Sequence, residues 1–432
     1  SIGYASLGSN TTGCFSTASG YRALLYNTTA KCNTAHGAYA LEANTTGNRN
    51  SAVGTSALRA HTVGVSNTAS GYAALKASTT GNENVAVGAY ALTAHTTASC
   101  NTAVGAHALI ANTTAAANTA VGGMALKTNI TGANNVAVGA HALCVSTGHC
   151  NTAVGSVALR NTTANYNTAV GYGANYGTTS GTKNTSVGAC AGFTTNSGSA
   201  NTATGYSALR NNTTGTHNTA VGLETMLSNT TGVCNAAFGW DSMYSNTTGT
   251  HNTATGIRSL YTNTTGSSNT ASGTLAMFLN TTGTYNVAVG GQALYNNTTV
   301  NFNTTVGYQS MFTNTTGTNN AVIGGQALYY NTTGHNNTAS GYRALLRTTT
   351  GYQNTAVGSN ALSESTTGIY NTAIGWQAGD ANETGHCNIF LGVNADTSCS
   401  THANQIIIGY GAAGAGTNKT VIGNAATTNT YI

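Results

Sequence analysis

Short apolar pairs and polar turns recur along this chain at a fixed interval. The stretch from 151 to 171, NTAVGSVALRNTTANYNTAVG, begins and ends on the same five letters. The underlying unit is N-T-A-V-G-x-x-A-L-x-x-N-T-T-G-x-x, numbered here as slots 1 to 17 with the recurring glycine at slot 5. That glycine occurs 26 times, from Gly3 to Gly423. Every step is 17 residues except two of 16, to Gly155 and Gly171, and a last of 14. A constant period over a whole chain marks a repeat architecture, and helical repeats need about 33 residues or more. Seventeen residues suit one coil of a β-solenoid. Slots 1–4 are rich in β-formers and slots 7–10 read as a second strand. The glycine at slot 5 and the NTTG at slots 12–15 are turn chemistry.

The expected fold is therefore all-β: a parallel β-solenoid or β-roll of about 26 coils with a 17-residue repeat. Coils stacked at ~4.8 Å would extend on the order of 120 Å. Each slot becomes a column of like residues. Slot 1 is Asn in 22 consecutive coils, from Asn33 to Asn388, so its amides are expected to hydrogen-bond from coil to coil. Slot 4 (Val53, Val87, Val104, Val121, Val138, Val154) and slot 9 (Leu209, Met226, Met243, Leu260) read as core columns. Slot 3, almost always Ala, must then face outward. A small apolar outer face predicts several chains packed side by side, with Ala allowing close approach. Residues 1–375 hold the regular repeats, with the two 16-residue coils ending near 155 and 171. The repeats of 376–432 are degenerate. The short coils and the irregular GYGANYGTTSG (171–181) predict a local change in twist or packing.

Composition narrows the function. Only 5% of residues are charged, against about 25% in an average domain. The net charge of +5 is spread thinly, with no basic run, so no nucleic-acid partner is expected. No apolar stretch reaches the ~20 residues of a membrane helix, so no membrane insertion is expected. Proline is absent, which suits a structure that would lose a ladder hydrogen bond at each one. Abundant, regularly placed Val, Thr, Ile and Tyr argue against disorder.

The NTAVGxxAL…NTTG units resemble repeats of viral, phage-type tail fibres. More distantly they are similar to the heads of trimeric autotransporter adhesins. The run NIFLGVNADTSCSTHANQIIIGYGAAGAGTNKTVIGNAATTNTYI (388–432) resembles the segment that precedes an endosialidase-type intramolecular chaperone. The resemblance implies a homotrimeric fibre on a virion surface or otherwise extracellular or at a cell surface. It also implies a chaperone removed by self-cleavage after Ile432. On this reading the chain is a structural shaft, not an enzyme, with no cofactor and no metal. Its partners would be itself and a host-surface polysaccharide or receptor. A polysaccharide- or ice-binding β-solenoid is the alternative, on the strength of hydroxyl rows at slots 13 and 14. A β-helical polysaccharide-degrading enzyme would need acids and bases at a local break, and only 376–402 comes near that.

Individual residues add little chemistry. Of the eight acidic residues, Asp380 and Glu383 lie close together in GDANETG, where a carboxylate pair could serve acid–base work or decorate a turn. His217 and His251 share slot 17 two coils apart, too far to share an ion, and read as solvated. Nine cysteines include no CxxC, and only Cys14 and Cys32 are placed for a bridge. Slot 12 supplies NTT sequons at Asn212, Asn229, Asn246, Asn263, Asn280, Asn297, Asn314 and Asn331. These are N-glycosylation candidates or simply turn formers. Slot 10 is aromatic in six successive coils: Tyr244, Tyr261, Phe278, Tyr295, Phe312 and Tyr329. Ring stacking alone would stabilise neighbouring coils, and an exposed stripe would also stack on sugar rings. Earlier coils place Arg59, Lys76, Lys127, Arg160 and Arg210 at this slot.

Overall fold

A computed structural model describes residues 1–426, which form an all-β parallel β-solenoid with a 17-residue repeat and no helix. The end of the 388–432 segment lies outside the described residues. The chain divides into two compact units, Ser1–Thr216 and His217–Ile432. The loss of repeat regularity at 376 falls inside the second unit.

Each coil after the first contributes one three-residue strand, at slots 2–4. Strands run from Thr17–Ser19 to Thr202–Thr204 in the first unit and from Thr219–Val221 to Thr420–Ile422 in the second. Within each unit a strand pairs in parallel with the same slots of the next coil, as Thr34↔Ser51 and Ala35↔Ala52 or Thr270↔Val287 and Ala271↔Ala288. Like residues therefore stack on like.

The faces of the strand are the reverse of the expectation. Slot 3 points inward and is buried in every strand but the last, while slots 2 and 4 point to solvent. The valines expected in the core, Val53, Val87, Val104, Val121, Val138 and Val154, are half-buried or exposed on the outer face. Alternation fixes that slots 2 and 4 share a face. It does not say which face, and the size of the interior decides. The inside of a 17-residue coil is narrow, and alanine at slot 3 lies against leucine or methionine at slot 9. Slot 9 is a core column as expected, with Leu209, Met226, Met243 and Leu260 fully buried. The packing need offered for several chains at slot 3 falls with this reversal, since that alanine fills the coil's own interior.

One exchange in the second unit shows how slots 3 and 9 share the interior. At slot 9 of one coil leucine gives way to Gly379, and at slot 3 of the next alanine gives way to Phe390, which is fully buried. A Cβ on Gly379 would lie 2.6 Å from the Phe390 ring. The large side chain has changed sides and the interior volume is conserved.

The expected second strand at slots 7–10 is a run of turns. Slots 8 and 9 are both buried, as in Ala23 and Leu24, and an extended strand cannot turn two successive side chains inward. The backbone instead enters the left-handed region at slots 7 and 9, with φ 54° at Arg22 and 51° at Leu24. Non-glycine residues held there cost about 1–2 kcal/mol each. Hydrogen bonds to the next coil offset that cost, as Leu24 N–H donates to the Ala40 carbonyl at 3.0 Å. At slot 5 glycine is required. Gly20 has φ 139°, and a Cβ there would sit 2.5 Å from the Gly37 carbonyl oxygen of the next coil.

The two 16-residue coils lose one outward turn residue. Ser146-Thr147-Gly148 and Thr162-Thr163-Ala164 each lack the exposed slot 14 residue. The strands on either side, Val136–Val138, Thr152–Val154 and Thr168–Val170, stay in register. The shortening is absorbed at the rim, with no break in the ladder.

Candidate functional site

Two amide columns hold the coils together. At slot 1 the Asn50 backbone N–H donates to Asn33 Oδ1 of the preceding coil at 2.8 Å. The Asn50 Nδ2 crosses its own coil to the Gly64 carbonyl at 2.9 Å. Within each unit the pattern repeats, in the second as far as Asn388, and Gln405 N–H extends it there by donating to Asn388 Oδ1. At slot 12 the amides of the second unit bond side chain to side chain. Asn246, Asn263, Asn280, Asn297, Asn314 and Asn331 each donate from Nδ2 to the preceding Oδ1, at 2.7–3.3 Å. Each also bonds the slot 15 carbonyl of its own coil, as Asn280 to Gly283 at 3.2 Å.

All eight candidate glycosylation residues, Asn212, Asn229, Asn246, Asn263, Asn280, Asn297, Asn314 and Asn331, are fully buried in this column. The nitrogen that would carry a sugar is the one that donates inside the coil. A glycan there and this ladder exclude each other. Slot 13 hydroxyls are likewise engaged, as Thr264 Oγ1 donates to the Thr281 carbonyl at 3.1 Å. Of the two slots 13 and 14, slot 14 is the one that presents its hydroxyl row to solvent.

Tyr244, Tyr261, Phe278, Tyr295, Phe312 and Tyr329 form one continuous stack. Successive ring centroids are 5.0–5.2 Å apart with interplanar angles of 7–18°. All six rings are half-buried, with their edges at the surface. Burial pushes the Tyr244 and Tyr329 phenols above their ordinary range, with Glu224 next in effect on Tyr244 and Tyr330 on Tyr329. Arg258 lies over the Tyr261 ring at 5.6 Å, and Tyr330 meets Tyr329 edge-on at 4.7 Å. Beside that end of the stack is a cavity of about 490 Å³ lined by Tyr330, Arg347 and threonines.

The remaining candidates are dispersed. His217 and His251 are exposed. All nine cysteines are free; Cys14 and Cys32 meet only through a backbone hydrogen bond of 3.1 Å. No cluster of three or more metal-ligating side chains occurs among the described residues. Asp380 accepts a hydrogen bond from the Ser363 hydroxyl, and its carboxylate neighbour is Asp396, not Glu383. Burial pushes Asp396 up to about 6, opposed by the N–H groups of Ala381 and Thr397 and reinforced by Asp380.

Two features escaped the sequence reading. His61 and His95 occupy slot 12, fully buried among the amides of the first unit. Burial lowers both, His95 to about 4. Their slot was the available signal. The second feature is the outer sheet face, where slot 2 is mostly Thr, slot 4 mostly Val or Ile, and neither holds an Asp, Glu, Lys or Arg in any strand. Slot 6 adds exposed rings beside it, including Tyr72, Tyr206, Trp240, Tyr308 and Trp376.

The fold thus belongs to the parallel β-solenoids. No protein-family model and no curated protein matches the chain.

Proposed function

We propose that this chain is the shaft of a homotrimeric extracellular fibre, a viral tail fibre or a surface adhesin, whose work is mechanical. The observation that carries the reading is the pair of amide columns. They bind coil to coil with hydrogen bonds sheltered from water, so stability accumulates with length. Such a design holds surfaces at a distance. The trimer is supported by the charge-free outer face, since a long apolar stripe at slots 4 and 6 is costly to leave in water. The ring stack from Tyr244 to Tyr329 is the surface offered to a host polysaccharide, where sugar rings would lie along aromatic edges and the adjoining cavity. Sedimentation equilibrium tests the assembly. A mass near three times 43.2 kDa is expected, and a monomer at micromolar concentration sinks the trimer.

The same outer face favours a second reading, a solenoid that binds ice or an ordered polysaccharide surface. Its threonine and valine columns form a regular array of hydroxyl and methyl groups on a sheet. Thermal hysteresis in a monomeric preparation would favour this reading over the shaft.

A further inference from the structure

The first unit carries a groove floored by alanine. Five successive coils place alanine at slot 11, from Ala43 to Ala111, and the first four of these alanines, Ala43 to Ala94, floor the groove, whereas Tyr26 and Arg347 show how large a side chain the slot holds elsewhere. The result is a cavity of about 700 Å³, closed at one end by Tyr26 and bordered by Arg22, Arg59 and Lys76. That volume is within the range of small-ligand sites.

The cations are arranged, not merely present. Glu42, whose side chain is only 8% exposed, bridges Arg22 at 3.0 Å and Arg59 at 2.8 Å. Arg59 also lies 4.7 Å over the Tyr39 ring, so its plane is held on two sides. Its Nε is engaged by Glu42, and the rest of its donor fork is left for a ligand. Three cations face one carboxylate that is already doubly paired, so the groove keeps a positive excess. A fixed guanidinium suits a planar carboxylate, and a smooth alanine floor suits the apolar face of a sugar ring. The alanines span three coil steps, roughly 14 Å, which is the reach of a short oligosaccharide.

We propose that this groove binds an acidic polysaccharide, with a uronate-type carboxylate seated on Arg59 and Lys76. Nucleic acid is the poorer occupant. Its affinity depends on neutralising many phosphates, and this groove offers few cations on a chain of net charge +5. The assignment is independent of the trimer and of the aromatic stack.

The test uses the full chain and calorimetric titration with an oligoguluronate, a neutral glucan oligomer of equal length, and an oligothymidylate. The oligoguluronate should bind and the other two should not. Lys76→Gln should weaken binding about tenfold, the scale of one desolvated charge-assisted contact. Arg59→Gln could disturb the fold by stranding Glu42, so Ala77→Tyr serves as the second variant. Slot 11 already accepts Tyr26 and Tyr330, so the coil should fold while the groove is filled and binding lost. Absent oligoguluronate binding, unchanged affinity in both variants, or tighter binding of the oligothymidylate would each overturn the proposal.

Discussion

The same two columns are built differently in the two units. From Asn246 to Asn331 slot 12 is asparagine throughout, and slot 10 is aromatic over the same coils. In the first unit slot 12 passes from Asn44 through His61, Ser78 and His95 to Asn112. Slot 10 there passes from Glu42 through Arg59 and Lys76 to Thr93. Where a column is uniform, each residue satisfies its neighbours in both directions. Where it is mixed, bonds are lost at the junctions. Asn44 Oδ1 is buried without a partner beside His61, and Asn331 Oδ1 is left so where the run ends at Thr348. Uniform columns serve cohesion. Mixed columns give up cohesion and gain groups that carry charge or titrate.

The sharpest way to break this contrast is Asn280→Ala. It removes three hydrogen bonds, each worth about 1 kcal/mol, and leaves Asn263 Oδ1 buried without a partner at a further cost of about 1–3 kcal/mol, while the Gly283 carbonyl keeps Asn269 Nδ2 and Asn297 Nδ2 keeps the Val300 carbonyl. A local loss of about 3–5 kcal/mol is expected, read as faster amide exchange in coils 246–314. Ser78→Ala in the mixed column breaks only a 3.4 Å contact to His61 and should cost less than about 1 kcal/mol. Equal losses would erase the distinction.

Acid should act on the first unit next. In the folded chain His95 titrates near 4 because its ring is buried, and neither ring nitrogen makes a hydrogen bond of good geometry. Unfolded, it titrates near 6.5. Above 6.5 both states are neutral and stability is unaffected. As pH falls from about 6.5 toward 4, the unfolded chain takes a proton that the folded chain refuses, and about 3 kcal/mol of stability is lost. His95→Asn should remove most of that slope in denaturant titrations run from pH 7 to 4.

Smaller effects test the rings and the surface. Phe278→Ala removes two stacked contacts and should cost about 1–3 kcal/mol in urea melts. Arg347→Gln removes an exposed pair to Glu364 at 3.1 Å and should shift stability by less than about 0.5 kcal/mol.

The solenoid, its period and the slot 1 ladder were legible because each follows from repetition alone. The orientation of the strand was not. Val53 and Ala52 obey the same alternation whichever faces inward, and only the width of the closed coil excludes valine from most of slot 3. The turn at slots 7–10 was hidden for a different reason. Its left-handed positions hold leucine, arginine and tyrosine, residues with no local taste for that conformation, held there by the coils above and below. The groove was hidden because alanine at slot 11 reads as an absence of information until its neighbours surround it.

The two shortened coils carry a practical consequence. A residue has been removed at slot 14 twice, and the strands on either side kept their pairing. That slot is therefore a port, a place where sequence can be taken out or spliced in while the scaffold stays in step. Short foreign peptides inserted at slot 14 of chosen coils would be displayed at separations set in multiples of about 4.8 Å. The repeat would then serve as a graduated ruler for spacing epitopes or enzymes along a surface.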